Sequence, residues 1–100
     1  MATDFLDFIA HADKPVLADF WAEWCGPCKI MGPVIKSLAQ EWKGKVSIVK
    51  VNTEERPALA SRYSITSIPT LILFIGGKEI HRVAGALPIG SIKKEFERFL

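Results

Sequence analysis

The chain has 100 residues, which is enough for one domain with a single hydrophobic core. Apolar residues make up 49% of it and charged residues 24%, as in ordinary soluble domains, and the net charge of +2 with no basic block argues against nucleic-acid binding. The longest apolar run, Leu71 to Ile75, is far shorter than the roughly 20 residues of a membrane-spanning helix. The first residues lack the features of a signal peptide, so we expect a cytoplasmic protein.

Hydrophobic periodicity predicts that helices and strands alternate along the chain. Val16 to Trp21 is apolar at nearly every position, as a central strand covered on both faces should be. The apolar residues after Cys28 recur with a 3.6-residue period as far as Trp42, which predicts a core-facing helix. In order, we expect helix 4–12, strand 16–21, a helix that begins at the cysteine pair and continues to 42, strand 46–51, helix 57–63, strands 70–75 and 79–84, and helix 88–100. This order predicts an α/β fold with a mixed sheet flanked by helices, formed by a single domain over residues 1–100.

Both cysteines of the chain lie in the segment Trp24-Cys25-Gly26-Pro27-Cys28-Lys29, between the first predicted strand and the helix that follows it. Two thiols separated by two residues can close a small disulfide ring or share a metal ion. A zinc site would need further ligands from His11 and His81, which lie in separate segments without the close spacing of zinc ligands. We therefore favour a reversible dithiol/disulfide pair, which in a cytosolic protein is more often catalytic than structural.

The position of the pair predicts unequal roles for the two thiols. A thiol at a helix N-terminus faces unpaired N–H groups and the positive end of the helix dipole, which favours the thiolate. Because only the thiolate attacks a disulfide, we predict that Cys25 is the nucleophile and that Cys28 resolves the mixed disulfide. Gly26 permits a tight approach, and Pro27 fits the first helical turn because it has no N–H to leave unpaired.

Two charged residues interrupt apolar strands. Asp19 lies in the first predicted strand, and burying its carboxylate without a partner would raise its pKa. The alternative is that this carboxylate reaches the edge of the sheet or a hydroxyl group. Lys50 interrupts the second predicted strand, where its long side chain can simply extend to solvent.

Three separated stretches resemble the thioredoxin family. The first is Trp24 to Lys29, preceded by Asp-Phe-Trp-Ala-Glu, the second is Ser67-Ile68-Pro69-Thr70, and the third is Val83-Ala84-Gly85-Ala86. The resemblance extends without evident gaps from about Asp4 to Leu100. Because the three stretches match in register, they are far more specific than a Cys-x-x-Cys pair alone.

The resemblance implies roles for residues outside the cysteine pair. Asp19 would lie beneath the cysteines and act as proton acceptor and donor for Cys28, and Lys50 would tune it. Pro69 would be cis and face the cysteines, while the backbone of Ile68 would pair with an extended segment of the substrate. The family's flat apolar docking surface around the first cysteine corresponds here to Trp24, Gly26, Pro27, Ile68, Pro69, Gly85 and Ala86.

The chain departs from the family pattern at its start. Thioredoxins usually open with a short strand, but here three residues precede the helical pattern that begins near Asp4, too few for a strand and its connection. We therefore expect four strands in the order 46–51, 16–21, 70–75, 79–84, which leaves strand 46–51 at an edge. An apolar edge invites pairing with another chain unless charges protect it. We expect Lys45 and Lys50 to provide that protection, so that the protein is a monomer.

The resemblance implies a reductant for disulfide bonds in other proteins, which a thioredoxin reductase would return to the dithiol form. It implies no bound cofactor or metal. Gly-Pro between the cysteines favours a reductant, since oxidising relatives generally carry a histidine before the second cysteine. Two alternatives stay open: a thiol oxidase or isomerase of the same fold, and a protein-binding module that acts independently of redox chemistry.

Overall fold

A computed structural model describes residues 2–100 as four strands, four α-helices and one short 3-10 helix. The helices are α1 (Ala2–His11), α2 (Gly26–Glu41), α3 (Pro57–Arg62) and α4 (Ile89–Phe96), with the 3-10 helix at Glu97–Phe99. The strands are β1 (Val16–Trp21), β2 (Ser47–Asn52), β3 (Thr70–Ile75) and β4 (Lys78–Ala84).

The four strands form one mixed sheet in the order β2-β1-β3-β4. Strand β1 runs parallel to β2 and antiparallel to β3, and β4 runs antiparallel to β3. The two central strands, β1 and β3, are buried at every position except the last, because helices cover both faces of the sheet. The predicted four-stranded α/β architecture and its strand order are confirmed.

Alternation along β1 directs successive side chains into two separate cores. Leu17 packs with buried residues of α2 and α4, whereas Ala18 and Phe20 pack with residues of α1 and α3. Asp19 lies two residues after Leu17 and therefore on the α2 and α4 face. Its neighbours across the sheet are Lys50 of β2 and Leu71 of β3.

Several element ends differ by a few residues from the sequence prediction. Helix α1 begins at Ala2 rather than near Asp4, and β2 begins one residue later than predicted. Helix α2 begins at Gly26 because Cys25 caps it, so the helix includes the residues between the two cysteines. The last predicted helix ends at Phe96 and continues as the 3-10 helix, whose Phe99 ring lies 5.4 Å from the ring of His81.

Helix α3 ends in a Schellman motif that is built on an unusual residue. The Ile65 N–H donates to the Ala60 carbonyl at 2.8 Å, and the Ser64 N–H donates to the Ser61 carbonyl at 3.1 Å. This arrangement places Ser64 at a φ of 53°, in the left-handed region. Glycine is the usual residue at that position, because a Cβ atom is strained there.

We expect Ser64→Gly to raise the free energy of unfolding by about 0.5–1 kcal/mol, because it removes the strain of the left-handed conformation. Ser64 is exposed, so the substitution disturbs no core packing. Urea unfolding of the disulfide form measures the change. Ser64→Ala keeps the Cβ atom and is the matched control, which should show no such gain; equal gains from both variants would contradict the explanation.

Candidate active site

The two cysteines lie where β1 leads into α2, and they form a disulfide bond. Cys25 is the N-cap of α2, with extended backbone angles, and Gly26 and Pro27 form the exposed start of the helix. The Cys25 N–H donates to the Ala22 carbonyl at 3.2 Å, which fixes the turn between strand and helix. Cys28 follows in the first turn of the helix, with its Cα atom 5.2 Å from that of Cys25.

Hydrogen bonding distinguishes the two sulfur atoms, whereas burial does not. Cys25 is 3% exposed and Cys28 is 6% exposed, so both are buried. The Cys28 N–H donates to Cys25 Sγ at 3.1 Å, so the sulfur takes the place that an oxygen has in an ordinary helix N-cap. After reduction, the same N–H and the positive end of the α2 dipole would stabilise a thiolate on Cys25.

The segment before β3 lies beside Cys25. The Ile68–Pro69 peptide bond is cis, as predicted. The Ile68 carbonyl oxygen lies 3.7 Å from Cys25 Sγ, where it can accept a hydrogen bond from the thiol after reduction. The Pro69 carbonyl accepts a hydrogen bond of 2.8 Å from the Gly85 N–H. The structure therefore brings together three stretches that are far apart in the sequence.

Trp24 is the most exposed aromatic residue near the cysteines, with 68% of its surface accessible. Its indole N–H donates to Glu54 Oε2 at 3.0 Å. Trp24 and Ile68 also line a groove of about 410 Å³, whose other lining residues are Thr53, Ala60, Ile65, Thr66 and Ser67. The groove is open to solvent, and it approaches the cysteine pair through Trp24, which precedes Cys25, and Ile68, whose carbonyl lies beside it.

Sequence reasoning missed Glu54. The sequence placed it in a polar turn, and the structure shows that the Asn52 side chain accepts hydrogen bonds from the Glu54 and Glu55 N–H groups. An asparagine at the start of a polar stretch is a turn signal of this kind. That signal locates the turn, but it does not reveal that the Glu54 carboxylate meets Trp24, which is 30 positions away.

Asp19 is 2% exposed, and its Oδ1 atom has no hydrogen-bond partner within residues 2–100. Burial raises the pKa of Asp19 to about 6, and the charge of Lys50 opposes part of that rise. The two residues are paired in register across β1 and β2, and the Lys50 ammonium lies 4.7 Å from the ring centre of Trp21. Asp19 therefore lies buried in a central strand of the sheet.

The histidines make contacts away from the cysteines. His11 Nδ1 lies 2.9 Å from the Asp7 carbonyl oxygen, and His81 Nε2 lies 2.8 Å from Glu95 Oε1. The His81 ring is half-buried against Phe96. Within residues 2–100, no three His, Cys, Asp or Glu side chains are grouped so that they could hold a metal ion.

In the part of the chain that the structure describes, no helix has the length and apolar character needed to cross a membrane.

Comparison with known proteins extends the resemblance over the whole domain. A family model described as thioredoxin matches residues 1–98. Thioredoxin 1 of Nostoc sp. is 47% identical over 96 residues, which cover 96% of this chain and 90% of that protein. The thioredoxin of Chlorobaculum thiosulfatiphilum is 46% identical over 101 residues and covers 99% of this chain and 94% of its own. The chloroplastic M-type thioredoxin of Spinacia oleracea is 43% identical over 94 residues, which cover 94% of this chain and 52% of that protein. With both cysteines at the start of α2 and a cis-proline segment beside them, the chain belongs to the thioredoxin family.

Proposed function

We propose that this protein reduces disulfide bonds in other proteins through Cys25 and Cys28. The observation that carries the proposal is the hydrogen bond from the Cys28 N–H to Cys25 Sγ at the start of α2. Because this contact favours the thiolate, it makes Cys25 the nucleophile of the pair. The flanking groove and the Ile68 carbonyl beside Cys25 support a substrate that is an extended stretch of polypeptide.

The reaction proceeds through two exchange steps. The Cys25 thiolate attacks one sulfur of the substrate disulfide, forms a mixed disulfide and releases the other substrate sulfur as a thiolate, which takes up a proton. Cys28 then loses its proton and attacks Cys25 Sγ, which closes the Cys25–Cys28 disulfide and releases the second substrate thiol. The substrate gains two electrons and the cysteine pair loses two.

Asp19 accepts the proton of Cys28 in this proposal. Its burial on the face that α2 covers, with a pKa near 6, supports that role, because such a group can bind and release a proton near neutral pH. Burial raises this pKa, and the charge of Lys50 lowers it again in part. The docking surface consists of Trp24, Gly26, Pro27, Ile68, Pro69, Gly85 and Ala86.

A thioredoxin reductase completes the cycle by reducing the Cys25–Cys28 disulfide. We place the protein in the cytoplasm, where a reactive dithiol is kept reduced. Residues 1–100 act in this proposal as one domain and as a monomer. A reduction potential more negative than that of the glutathione pool would support a reductant over an oxidase or isomerase.

We expect the two cysteine variants to fail in different ways. Cys25→Ser should abolish reduction of a protein disulfide such as that of insulin and form no mixed disulfide, because the nucleophile is absent. Cys28→Ser should instead accumulate a mixed disulfide through Cys25, because the resolving thiol is absent. Turnover with a reductase and its electron donor, together with intact-protein mass spectrometry, measures both results.

Cys25→Ser is the matched control for the trapping experiment. Covalent complexes formed through Cys28 in that variant would reverse the assignment. A wild-type protein that does not reduce insulin would overturn the proposed function itself.

The free energy of unfolding should depend on pH through Asp19. Its pKa is 3.8 in the reference state and about 6 in the folded protein, so its ionisation opposes folding. The neutral carboxyl favours the folded state over the unfolded state relative to the ionised carboxylate. This contribution to the free energy of unfolding is fully present below pH 3.8, is lost as pH rises to about 6, and is absent above that pH. Relative to the wild type, the disulfide form of Asp19→Asn should therefore gain up to about 3 kcal/mol between pH 4 and pH 7.

Glu79→Gln is the control with the opposite sign. Hydrogen bonds from Arg82, at 2.6 and 2.7 Å, lower the pKa of Glu79, so this variant should lose stability relative to the wild type as pH rises.

Asp19→Asn should also slow the attack of Cys28 on the mixed disulfide. A pH-independent difference in stability, with unchanged turnover, would show that the Asp19 carboxylate is already hydrated.

Amide exchange along β2 tests the monomer. The Ser47 N–H donates to the carbonyl of Pro15, just before β1, and the Thr53 N–H donates to that of Trp21, at its end, each at 2.9 Å. The odd-numbered amides of β2 therefore face β1. The Ile48 and Lys50 amides face the open edge, where residues 2–100 supply no further strand. We expect those two amides to exchange at least ten times faster than those of Val49 and Val51. Strong protection of Ile48 and Lys50, with a doubled mass by light scattering, would instead show a dimer through β2.

A further inference from the structure

A hydrogen bond between a backbone amide and a thioether joins the loop after β4 to helix α2. The Leu87 N–H donates to Met31 Sδ at 3.3 Å, although the two residues are 56 positions apart. Met31 lies three residues after Cys28 on α2 and is 1% exposed. The sequence predicts a core residue at this position, which the burial confirms, but apolar periodicity does not predict the hydrogen bond.

The same loop is attached to the proline segment at its other end. The Gly85 N–H donates to the Pro69 carbonyl at 2.8 Å, and Gly85 has a φ of 96°, which side-chain-bearing residues rarely adopt. Loop 85–87 is therefore tied to the segment beside Cys25 and to the helix that begins with the cysteine pair. Ala86 lies between the two attachment points and is exposed.

The thioether is an unusual partner for this amide. Sulfur in methionine is a weak acceptor, but its flexible side chain lets it reach an amide that the helix backbone cannot. Leu87 and Ile89 pack against the same buried cluster that contains Met31. A hydrocarbon side chain of similar volume would therefore fill the core and still leave the Leu87 N–H without this acceptor.

We propose that Met31 is a positioning residue for substrate docking: through its sulfur atom it holds loop 85–87 at a fixed place relative to the cysteine pair. The inference rests on the proposed function, because it takes loop 85–87 as part of the docking surface. Met31 itself touches no substrate. Losing the hydrogen bond should weaken docking of protein substrates and leave the exchange chemistry at Cys25 unchanged.

Norleucine provides a test that preserves the shape of the core. The chain contains two methionines, Met1 and Met31, so production with norleucine replaces sulfur by a methylene group at these positions alone. The KM for a protein disulfide such as insulin should rise about three- to tenfold, with kcat unchanged within about twofold. The rate with a small aromatic disulfide should not change, since a small molecule does not need the loop.

Met31→Leu separates the two methionine positions. When this variant is produced with norleucine, it carries norleucine at residue 1 alone. The variant produced with norleucine and the variant produced with methionine should therefore behave alike, and both should show the raised KM for insulin. The Leu87 amide should exchange about ten times faster in the norleucine protein and in Met31→Leu. The Ile92 amide donates to the Pro88 carbonyl at 3.1 Å. Its exchange rate should not change, which would show that α4 is intact.

An unchanged KM for insulin together with faster exchange at Leu87 would overturn the inference, because the loop would then be mobile without consequence for docking. Equal losses with insulin and with the small disulfide would also overturn it, since they would place the effect at the cysteines. Failure of the proposed function would give a different result: the wild-type protein produced with methionine would then reduce neither disulfide, and this inference would be wrong as well.

Discussion

Burial of β1 on both faces is the constraint on which the fold and the candidate site depend. Every residue from Val16 to Phe20 is buried, so α1 and α3 must cover one face of the sheet while α2 and α4 cover the other. Residues 22–25 lead the chain from the end of β1 into α2, which covers one of these faces. That turn is where the cysteine pair lies, so the site is a consequence of how the central strand is covered.

The same burial raises the pKa of Asp19 to about 6. A carboxylate in the middle of β1 loses its hydration, and the Lys50 charge across the strand pair offsets part of that loss. Because the Lys50 ammonium also lies over the Trp21 ring, its position is fixed by a second contact. The pKa of Asp19 therefore depends on strand register, since a shift of one residue between β1 and β2 would move Lys50 to the opposite face.

Sequence reasoning located the features that a local pattern determines. The bounds of β1 and β3 were predicted as observed, because apolar residues at successive positions mark a central strand. The start of α2 at the cysteine pair was predicted as observed, with Pro27 in the first turn, but apolar spacing does not predict that the Cys25 sulfur accepts an N–H as the cap. The pairs Trp24–Glu54 and Met31–Leu87 were not predicted at all. Each joins residues at least 30 positions apart, and no local periodicity records such contacts.

The Met31–Leu87 contact completes a ring of contacts around the candidate site. The cysteine turn lies against the Ile68 carbonyl, the adjoining Pro69 carbonyl holds Gly85, and Leu87 returns to α2 through Met31. Each segment thus contacts the other two: the Gly85 and Leu87 contacts are hydrogen bonds, and the Ile68 carbonyl can accept one from Cys25 after reduction. A docking surface whose loops are already held in place loses less conformational freedom when a substrate binds. The cysteine pair and the attachment point of loop 85–87 therefore share one helix, because Met31 lies six residues after Cys25 and three after Cys28 on α2.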